Sequence, residues 1–170
     1  MSNFTDAPQL NSGALDSHWH RHLRIVRLRQ PVDDDDEFLR QLGSRSEVRD
    51  RLGGLNYRKI PRGYFRLVEI DGKPAGVVAI APSRILGADD FEISCVLLEE
   101  YENNGVATEG CAMLIDEYPS PAPPARLLAG VKPDNPAGVR VAEKLGFRRL
   151  DEPGAQGEVV LEYTYVDPAV

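Results

Sequence analysis

Cysteine, tryptophan and positive charge are all scarce in this chain of 170 residues. It has two cysteines, one tryptophan and a formal net charge of −7, with 27 acidic against 20 basic residues. Proteins that bind nucleic acids broadly contact the phosphates through clustered lysine and arginine. The charge balance therefore argues against a nucleic-acid partner, and a negative cleft would instead favour cationic substrates.

Long apolar segments are also missing. No run reaches the ~20 residues that span a bilayer, and no signal-peptide pattern opens the sequence, so we expect no membrane partner. Cys95 and Cys111 lie in a strand-like and a helix-like segment, which favours buried free thiols over a disulfide and predicts a cytoplasmic protein. The 42% hydrophobic and 28% charged residues are typical of one globular domain.

The hydrophobic pattern predicts a mixed α/β chain after a flexible tail at 1–22. Neither a repeat nor an internal linker interrupts 23–170, so these residues are expected to form one domain. The predicted order is β-α-α-β-β-β-α-β-α-β. The strands are expected at 23–29, in a hairpin at 64–82, and at 91–100, 125–131 and 158–166, and the helices at 33–44, 46–52, 105–118 and 134–147.

One loop has the form of an anion site. A strand at 91–98 leads through 99–104 into the helix at 105–118, so several backbone N–H groups should converge at the positive end of the helix dipole. Backbone donors do not depend on side-chain charge, so Glu102, Asn103 and Asn104 do not abolish such a site. Such loops also serve as plain connections, so by itself this loop is a weak signal.

A second motif makes the pattern specific. "ENNGVAT" at 102–108 is followed, after a strand, by "NPAGVRVAEKLGF" at 135–147. Together with the element order, these motifs resemble the GNAT superfamily of acyl-CoA-dependent N-acetyltransferases, and most of all its RimJ/RimL-type branch. The superfamily signature (Arg or Gln, two residues, Gly, one residue, Gly or Ala) falls on Glu102, Gly105 and Ala107. The likeness covers roughly 23–166.

The resemblance implies a central mixed sheet with helices on both faces and two splayed central strands, 91–98 and 125–131. Acetyl-CoA would be the co-substrate, with no metal. Asn135 would help to hold its pantetheine arm, beside exposed backbone groups at the end of the first of these strands, namely Val96, Leu97 and Leu98. The diphosphate would lie on the N–H groups of one stretch, namely Glu102, Asn103, Asn104, Gly105, Val106, Ala107 and Thr108.

The predicted function is transfer of an acetyl group to a primary amine, either a small molecule or a protein N-terminus, by direct attack on the thioester. Such an amine must lose a proton, so a base should face the cleft. Glu92 is the candidate catalytic base because it shares a strand face with Ser94 and Val96. The alternative is an outward, solvated carboxylate.

Three positions depart from the family pattern. Glu102 replaces a cation or amide, Gly138 stands where the branch usually has Ser, and Ala142 stands where many family members have a proton-donating Tyr. These departures keep open an alternative function, a non-catalytic GNAT-fold module that binds acyl-CoA or regulates a partner. A homodimer through an open sheet edge or the C-terminal strand is a further expectation.

Other polar and aromatic clusters have simpler interpretations. His18, His20 and His22 alternate as metal ligands would, but a surface tail is the better explanation. The acidic run Asp33–Asp36 is interpreted as capping a helix start. Tyr163 and Tyr165 share a face with Leu161 and are expected to pack in the core.

Overall fold

The structure is a computed structural model, and it describes residues 24–46, 48, 64–83, 85–86, 89–118 and 125–165. Seven strands in this part of the chain form one mixed sheet in the order β1-β2-β3-β4-β5-β7-β6. The strands are β1 (Val26–Arg29), β2 (Tyr64–Ile70), β3 (Lys73–Pro82), β4 (Phe91–Leu97), β5 (Leu127–Val131), β6 (Phe147–Arg149) and β7 (Val159–Tyr163). The α-helices are α1 (Asp36–Ser44), α2 (Val106–Glu117) and α3 (Pro136–Lys144).

The predicted fold class is confirmed, with one strand missed. β6 has only three residues, which is too short to show an alternating pattern, and it pairs with β7. The expected strand 91–100 ends at Leu97 and continues as a 3-10 turn over Glu99–Tyr101. The tail 1–22 and most of the expected helix 46–52 lie outside the described residues.

The β2–β3 hairpin has the turn that its sequence predicts. Asp71 and Gly72 both have positive φ, 52° and 80°. A two-residue turn with left-handed residues at both positions matches the right-handed twist of the flanking strands. The turn also anchors the start of the sheet, because the N–H of Ile25 donates to the Asp71 carboxylate at 2.9 Å.

Helices cover both faces of the sheet. α2 and α3 pack on one face, and α1 packs on the other face over β2, β3 and the end of β4. The buried residues of α2 are Val106, Gly110, Cys111, Leu114 and Ile115. In α3 the core contacts come from Val139, Ala142 and Leu145.

The acidic run before α1 contributes an ion-pair network at the sheet corner. Asp35 is buried, and its carboxylate accepts hydrogen bonds from both Nη atoms of Arg29, at 2.6 and 2.7 Å. Arg29 Nε also donates to Glu69 on β2 at 2.7 Å, and the hydrogen bonds from Arg29 hold the pKa of Asp35 below its ordinary value. Asp35 also caps the helical start, because its Oδ2 accepts the N–H of Val32 at 2.8 Å, and acidic residues fill the first turns as the sequence predicts.

The two central strands part after a short contact. β4 and β5 run parallel, and their register covers only Phe91 with Leu127 and Glu92 with Leu128. The closed end is fixed by Asp90, whose carboxylate accepts the Arg126 backbone N–H at 3.0 Å and the Arg126 guanidinium at 2.8 Å. The expected splay is therefore present, and an ion pair between the buried Asp90 and the partly exposed Arg126 lies at its vertex.

The open edges of the described sheet are β1 and β6. β7 pairs on both sides, with β5 and with β6, and the homodimer expected from the sequence stays a prediction. No helix within the described ranges is long and apolar enough to cross a membrane.

We predict that Asp90→Ala destabilises the domain by about 1–3 kcal/mol at pH 7, because it leaves the Arg126 guanidinium and N–H without their acceptor. The hydrogen bond from Arg126 lowers the pKa of Asp90 below its ordinary value of 3.8. This stabilisation is present above pH 3.8 and is lost as the pH falls through the lower folded-state pKa. Urea unfolding at pH 7 and pH 3 measures the difference.

The matched control is Asp151→Ala, which removes an exposed carboxylate. It should change the free energy of unfolding by less than about 0.5 kcal/mol. An Asp90→Ala protein as stable as this control at pH 7 would show that the vertex does not depend on the ion pair.

Candidate functional site

The loop between β4 and α2 is fixed by its own hydrogen bonds. The Leu98 N–H donates to the Ala75 carbonyl on β3 at 2.8 Å, and the Tyr101 N–H closes a turn on the Leu98 carbonyl at 2.9 Å. Asn103 follows with a left-handed φ of 59°, which asparagine adopts more readily than most residues. Asn103 therefore has a conformational role in this loop.

The start of α2 presents unpaired backbone donors. Gly105 is the N-cap, with a φ of 79°, and as a glycine it has no side chain to cap the helix. Its carbonyl accepts the Glu109 N–H at 3.0 Å, whereas the N–H groups of Val106, Ala107 and Thr108 precede any intrahelical acceptor. The helix dipole adds a partial positive charge of about +0.5 at the same point.

One of the expected donors is already engaged. The Glu102 N–H donates to the Glu99 carbonyl at 3.1 Å, within the 3-10 turn. Its carboxylate lies on an exposed residue at the edge of the loop. The N–H groups available to an anion at this helix start thus begin after Glu102.

The far end of β4 has an open main-chain edge. The Phe91 N–H donates toward β5, to the Arg126 carbonyl, and the Leu98 N–H donates toward β3. Backbone groups alternate in direction along a strand, so those of Cys95 and Leu97 face the β5 side, where β5 no longer pairs. Those of Val96 and Leu98 face β3.

A side chain from the α1 face of the sheet reaches this edge of β4. Arg45, which follows α1, donates from Nη1 to the Leu97 carbonyl at 3.1 Å. Arginine has five donors in a rigid fork. One acceptor of the open edge is thus held by a residue of the segment that follows α1.

Glu92 lies at the closed end of the splay. It pairs with Ala81 on β3 and with Leu128 on β5, and its side chain is half-buried. Strand alternation places it with Ser94 and Val96, and Val96 packs in the cluster under α1. The face expected for Glu92 is therefore the α1 face, opposite α2.

The cysteines are free thiols, Cys95 half-buried and Cys111 buried. Cys95 on β4 and Cys111 on α2 share the core under α2. The hydrogen bond from Cys111, followed by burial, raises the pKa of the Cys95 thiol well above 9.0. A protonated thiol is a poor nucleophile, so Cys95 does not suit a covalent acyl intermediate.

The second motif builds the start of α3. Asn135 caps this helix, because its Oδ1 accepts the Gly138 N–H at 3.0 Å, and Pro136 occupies the first helical position. A Cβ on Gly138 would lie 2.9 Å from Asn135 Nδ2 and 2.9 Å from Val131 Cγ1. Glycine at 138 therefore fits the tight packing of the cap, and Ala142 is buried in the core.

Arg24 is a neighbour of the loop that sequence reasoning missed. Its Nη2 lies 3.5 Å from the position of a Cβ on Gly105 and 3.7 Å from Glu109 Oε2. The residue precedes β1, and α2 packs over β1, so chain folding brings it to the helix start. A single sequence gives no signal of this approach.

The aromatic residues of the last strand pack as expected. Tyr163 meets Phe147 at 5.1 Å and Tyr165 at 5.0 Å between ring centroids. Burial raises the pKa of Tyr165 to about 12, so its phenol stays protonated. His18, His20 and His22 lie outside the described residues.

The sequence matches one protein-family model, the acetyltransferase (GNAT) domain, over residues 5–148. No curated protein matches it. Many solved structures share the fold. One is the aminoglycoside acetyltransferase AAC(6')-Ib in complex with coenzyme A, with 17% identity, a TM-score of 0.62, and coverage of 82% of this chain and 95% of that chain.

Two further solved structures are of acetyltransferases named for acceptors other than aminoglycosides. The spermidine N-acetyltransferase from Vibrio cholerae, in complex with CoA and spermine, shares 16% identity at a TM-score of 0.59, covering 81% of this chain and 92% of that one. RimL, a ribosomal L7/L12 alpha-N-protein acetyltransferase in complex with coenzyme A, shares 17% identity at 0.56, covering 81% and 90%. At these identities the likeness shows the fold.

We predict that Gly105→Ala weakens binding of coenzyme A about tenfold. Alanine in the left-handed conformation costs about 1–2 kcal/mol, and a backbone shift that relieves this strain would move the N–H groups at the start of α2. Isothermal titration calorimetry measures the dissociation constant. Gly72→Ala is the matched control: its φ is 80°, and no atom lies within 4 Å of the added Cβ. It should lose similar stability and keep its affinity, and equal affinities of the two variants would contradict the prediction.

Proposed function

The chain belongs to the GNAT acetyltransferase family, and we propose that it transfers an acetyl group from acetyl-CoA to a primary amine. The observation that carries this proposal is the juxtaposition of an uncapped helix start with an open strand edge. The N–H groups from Asn103 to Thr108 would bind the diphosphate, and the edge of β4 at Cys95 and Leu97 would bind the pantetheine amides. Asn135, at the start of α3, would hold the same arm.

The proposed chemistry is direct transfer. The amine nitrogen attacks the thioester carbonyl, a C–N bond forms, the C–S bond breaks, and Glu92 accepts the proton that the amine loses. Backbone N–H groups on the open side of β4, such as that of Cys95, are suited to stabilise the oxyanion. Gly138 and Ala142 carry no donor side chain, so the departing sulfur takes its proton from solvent.

The acceptor proposal follows from the charge and from the fold. A net charge of −7 favours a cationic substrate, and aliphatic primary amines, including protein N-termini, are largely cationic at neutral pH. The solved relatives named above include enzymes for aminoglycosides, spermidine and a ribosomal protein N-terminus. A small-molecule amine and a protein N-terminus, the latter typical of the RimJ/RimL branch, are both within this proposal.

A second candidate is a module of this fold that binds acyl-CoA without transferring the acyl group. The observation that favours it is the packing of α3: Ala142 is buried in the core and Gly138 lies against Val131, which leaves neither position a hydroxyl for the leaving thiolate. This candidate retains the helix-start donors and the open edge of β4.

An amine panel with thiol detection separates the two candidates. Acetyl-CoA is incubated with aminoglycosides, polyamines and N-terminal peptides, and release of free coenzyme A is followed over time. The transferase proposal predicts steady, amine-dependent release. Binding of acetyl-CoA by calorimetry without release for any amine supports the module, and absence of binding at millimolar acetyl-CoA contradicts both.

We predict that Glu92→Gln lowers kcat about 100-fold at pH 7 with an acceptor found in this panel, because the amine loses its proton acceptor. The ratio of the parent kcat to the variant kcat should become smaller toward pH 9, because more of the amine is already deprotonated there. KM for acetyl-CoA should stay unchanged. Steady-state kinetics from pH 6 to 9 provide the measurement.

Glu162→Gln is the matched control for Glu92→Gln. Glu162 on β7 pairs with Leu128, as Glu92 does on β4, so both carboxylates lie in one row across the sheet. The control should keep kcat within about twofold of the parent. Parental rates for Glu92→Gln across the whole pH range would show that Glu92 is not the base.

A further inference from the structure

The proposed phosphate loop and the helix after it have no positively charged side chain. From Leu98 to Tyr118 the sequence contains no lysine and no arginine. The acidic residues of the same stretch are Glu99, Glu100, Glu102, Glu109, Asp116 and Glu117. A cation that assists the backbone donors therefore has to come from another part of the chain.

Arg24 is placed to be that cation. Its Nη2 lies 3.5 Å from the position that a Cβ on Gly105 would take, which puts the guanidinium beside the helix N-cap. It arrives from the segment just before β1, and that strand lies under α2. Among the described residues, Arg24 is the basic side chain for which the structure gives such a contact with this loop.

The hydrogen-bonding capacity of Arg24 is not used up by the protein. Its Nε is buried without a hydrogen-bond partner among the described residues. Its contact with Glu109 is 3.7 Å, which is an ion pair but too long for a hydrogen bond. The Arg24 side chain is one-third exposed, at 34%, so solvent and ligands have access to the guanidinium.

We propose that Arg24 binds the 5′-diphosphate of coenzyme A. Its guanidinium would supply the positive charge that the family signature is missing here, because Glu102 stands at the signature's Arg or Gln position. This inference rests on the proposed function, since it names a further residue of the same binding site. The planar guanidinium pairs with two phosphate oxygens at once, which a lysine ammonium does not. The exposed Glu102 carboxylate is then offset by a charge from outside the loop.

The test compares Arg24→Gln, Arg24→Lys and the control Arg27→Gln by calorimetric titration with coenzyme A. Arg27 is exposed on β1, and its substitution changes the net charge by the same amount. We expect Arg24→Gln to raise the dissociation constant about tenfold, Arg24→Lys to give an intermediate value, and Arg27→Gln to stay within about twofold of the parent. Arg24→Gln with the affinity of Arg27→Gln would overturn the inference.

Two ligands locate the contact on the coenzyme. With 3′-dephospho-coenzyme A, which retains the diphosphate, Arg24→Gln should show the same fold-loss. With pantetheine, which lacks all phosphates, it should match the parent. A loss that vanishes with 3′-dephospho-coenzyme A would assign the contact to the 3′-phosphate and overturn the proposal.

A second substitution tests whether Arg24 acts in place of the cation that the family signature has at position 102. Glu102→Arg restores the cation of the family signature and should tighten coenzyme A binding. In that background Arg24→Gln should cost less than about threefold, because the two guanidiniums serve the same phosphates. An undiminished tenfold loss would show that Arg24 does not act in place of the motif cation.

The parent protein separates this inference from the proposed function. If the parent does not bind coenzyme A at millimolar concentration, the proposed function is wrong. If the parent binds and Arg24→Gln binds equally well, only the role of Arg24 is wrong. Urea unfolding of each variant establishes that the compared proteins are folded.

Discussion

The separation of β4 from β5 is the constraint on which the candidate site depends. The two strands pair over only two residues on each, Phe91 and Glu92 with Leu127 and Leu128. Had the pairing continued, the main-chain groups of Cys95 and Leu97 would be consumed by the sheet, as buried backbone groups nearly always are. The splay instead leaves a strand edge in the middle of a sheet, and the Asp90–Arg126 pair closes its vertex.

The same separation determines where charge is needed. The open edge of β4 leads directly into the loop before α2, so a ligand lying along the edge would reach the helix start at its anionic end. Three glutamates lie in that loop, at positions 99, 100 and 102. Asn103 and Gly105 are left-handed, and the Arg24 guanidinium, from the segment just before β1, lies beside Gly105. Affinity for an anion then depends on the backbone and on a distant segment more than on the loop side chains.

The sequence predicted the elements and their order well, because each has a local signal. The periodicity of α2, the Asn135–Pro136 start of α3 and the Asp71–Gly72 turn are all visible within a few residues. β6 was missed because three residues show no period. Arg24 and Arg45 were missed because their roles depend on which segments lie side by side. The direction of each backbone group in β4 depends on register, which a single sequence does not reveal.

The central claim is that backbone amides at this helix start and strand edge bind the coenzyme. Hydrogen exchange with and without saturating coenzyme A tests it most directly, since the amides of Val106, Ala107 and Thr108 have no intrahelical acceptor. The account predicts slowed exchange from Asn103 to Thr108 and at Cys95 and Leu97, with α1 unchanged. Coenzyme A bound at saturation with no change in exchange at these amides would contradict it.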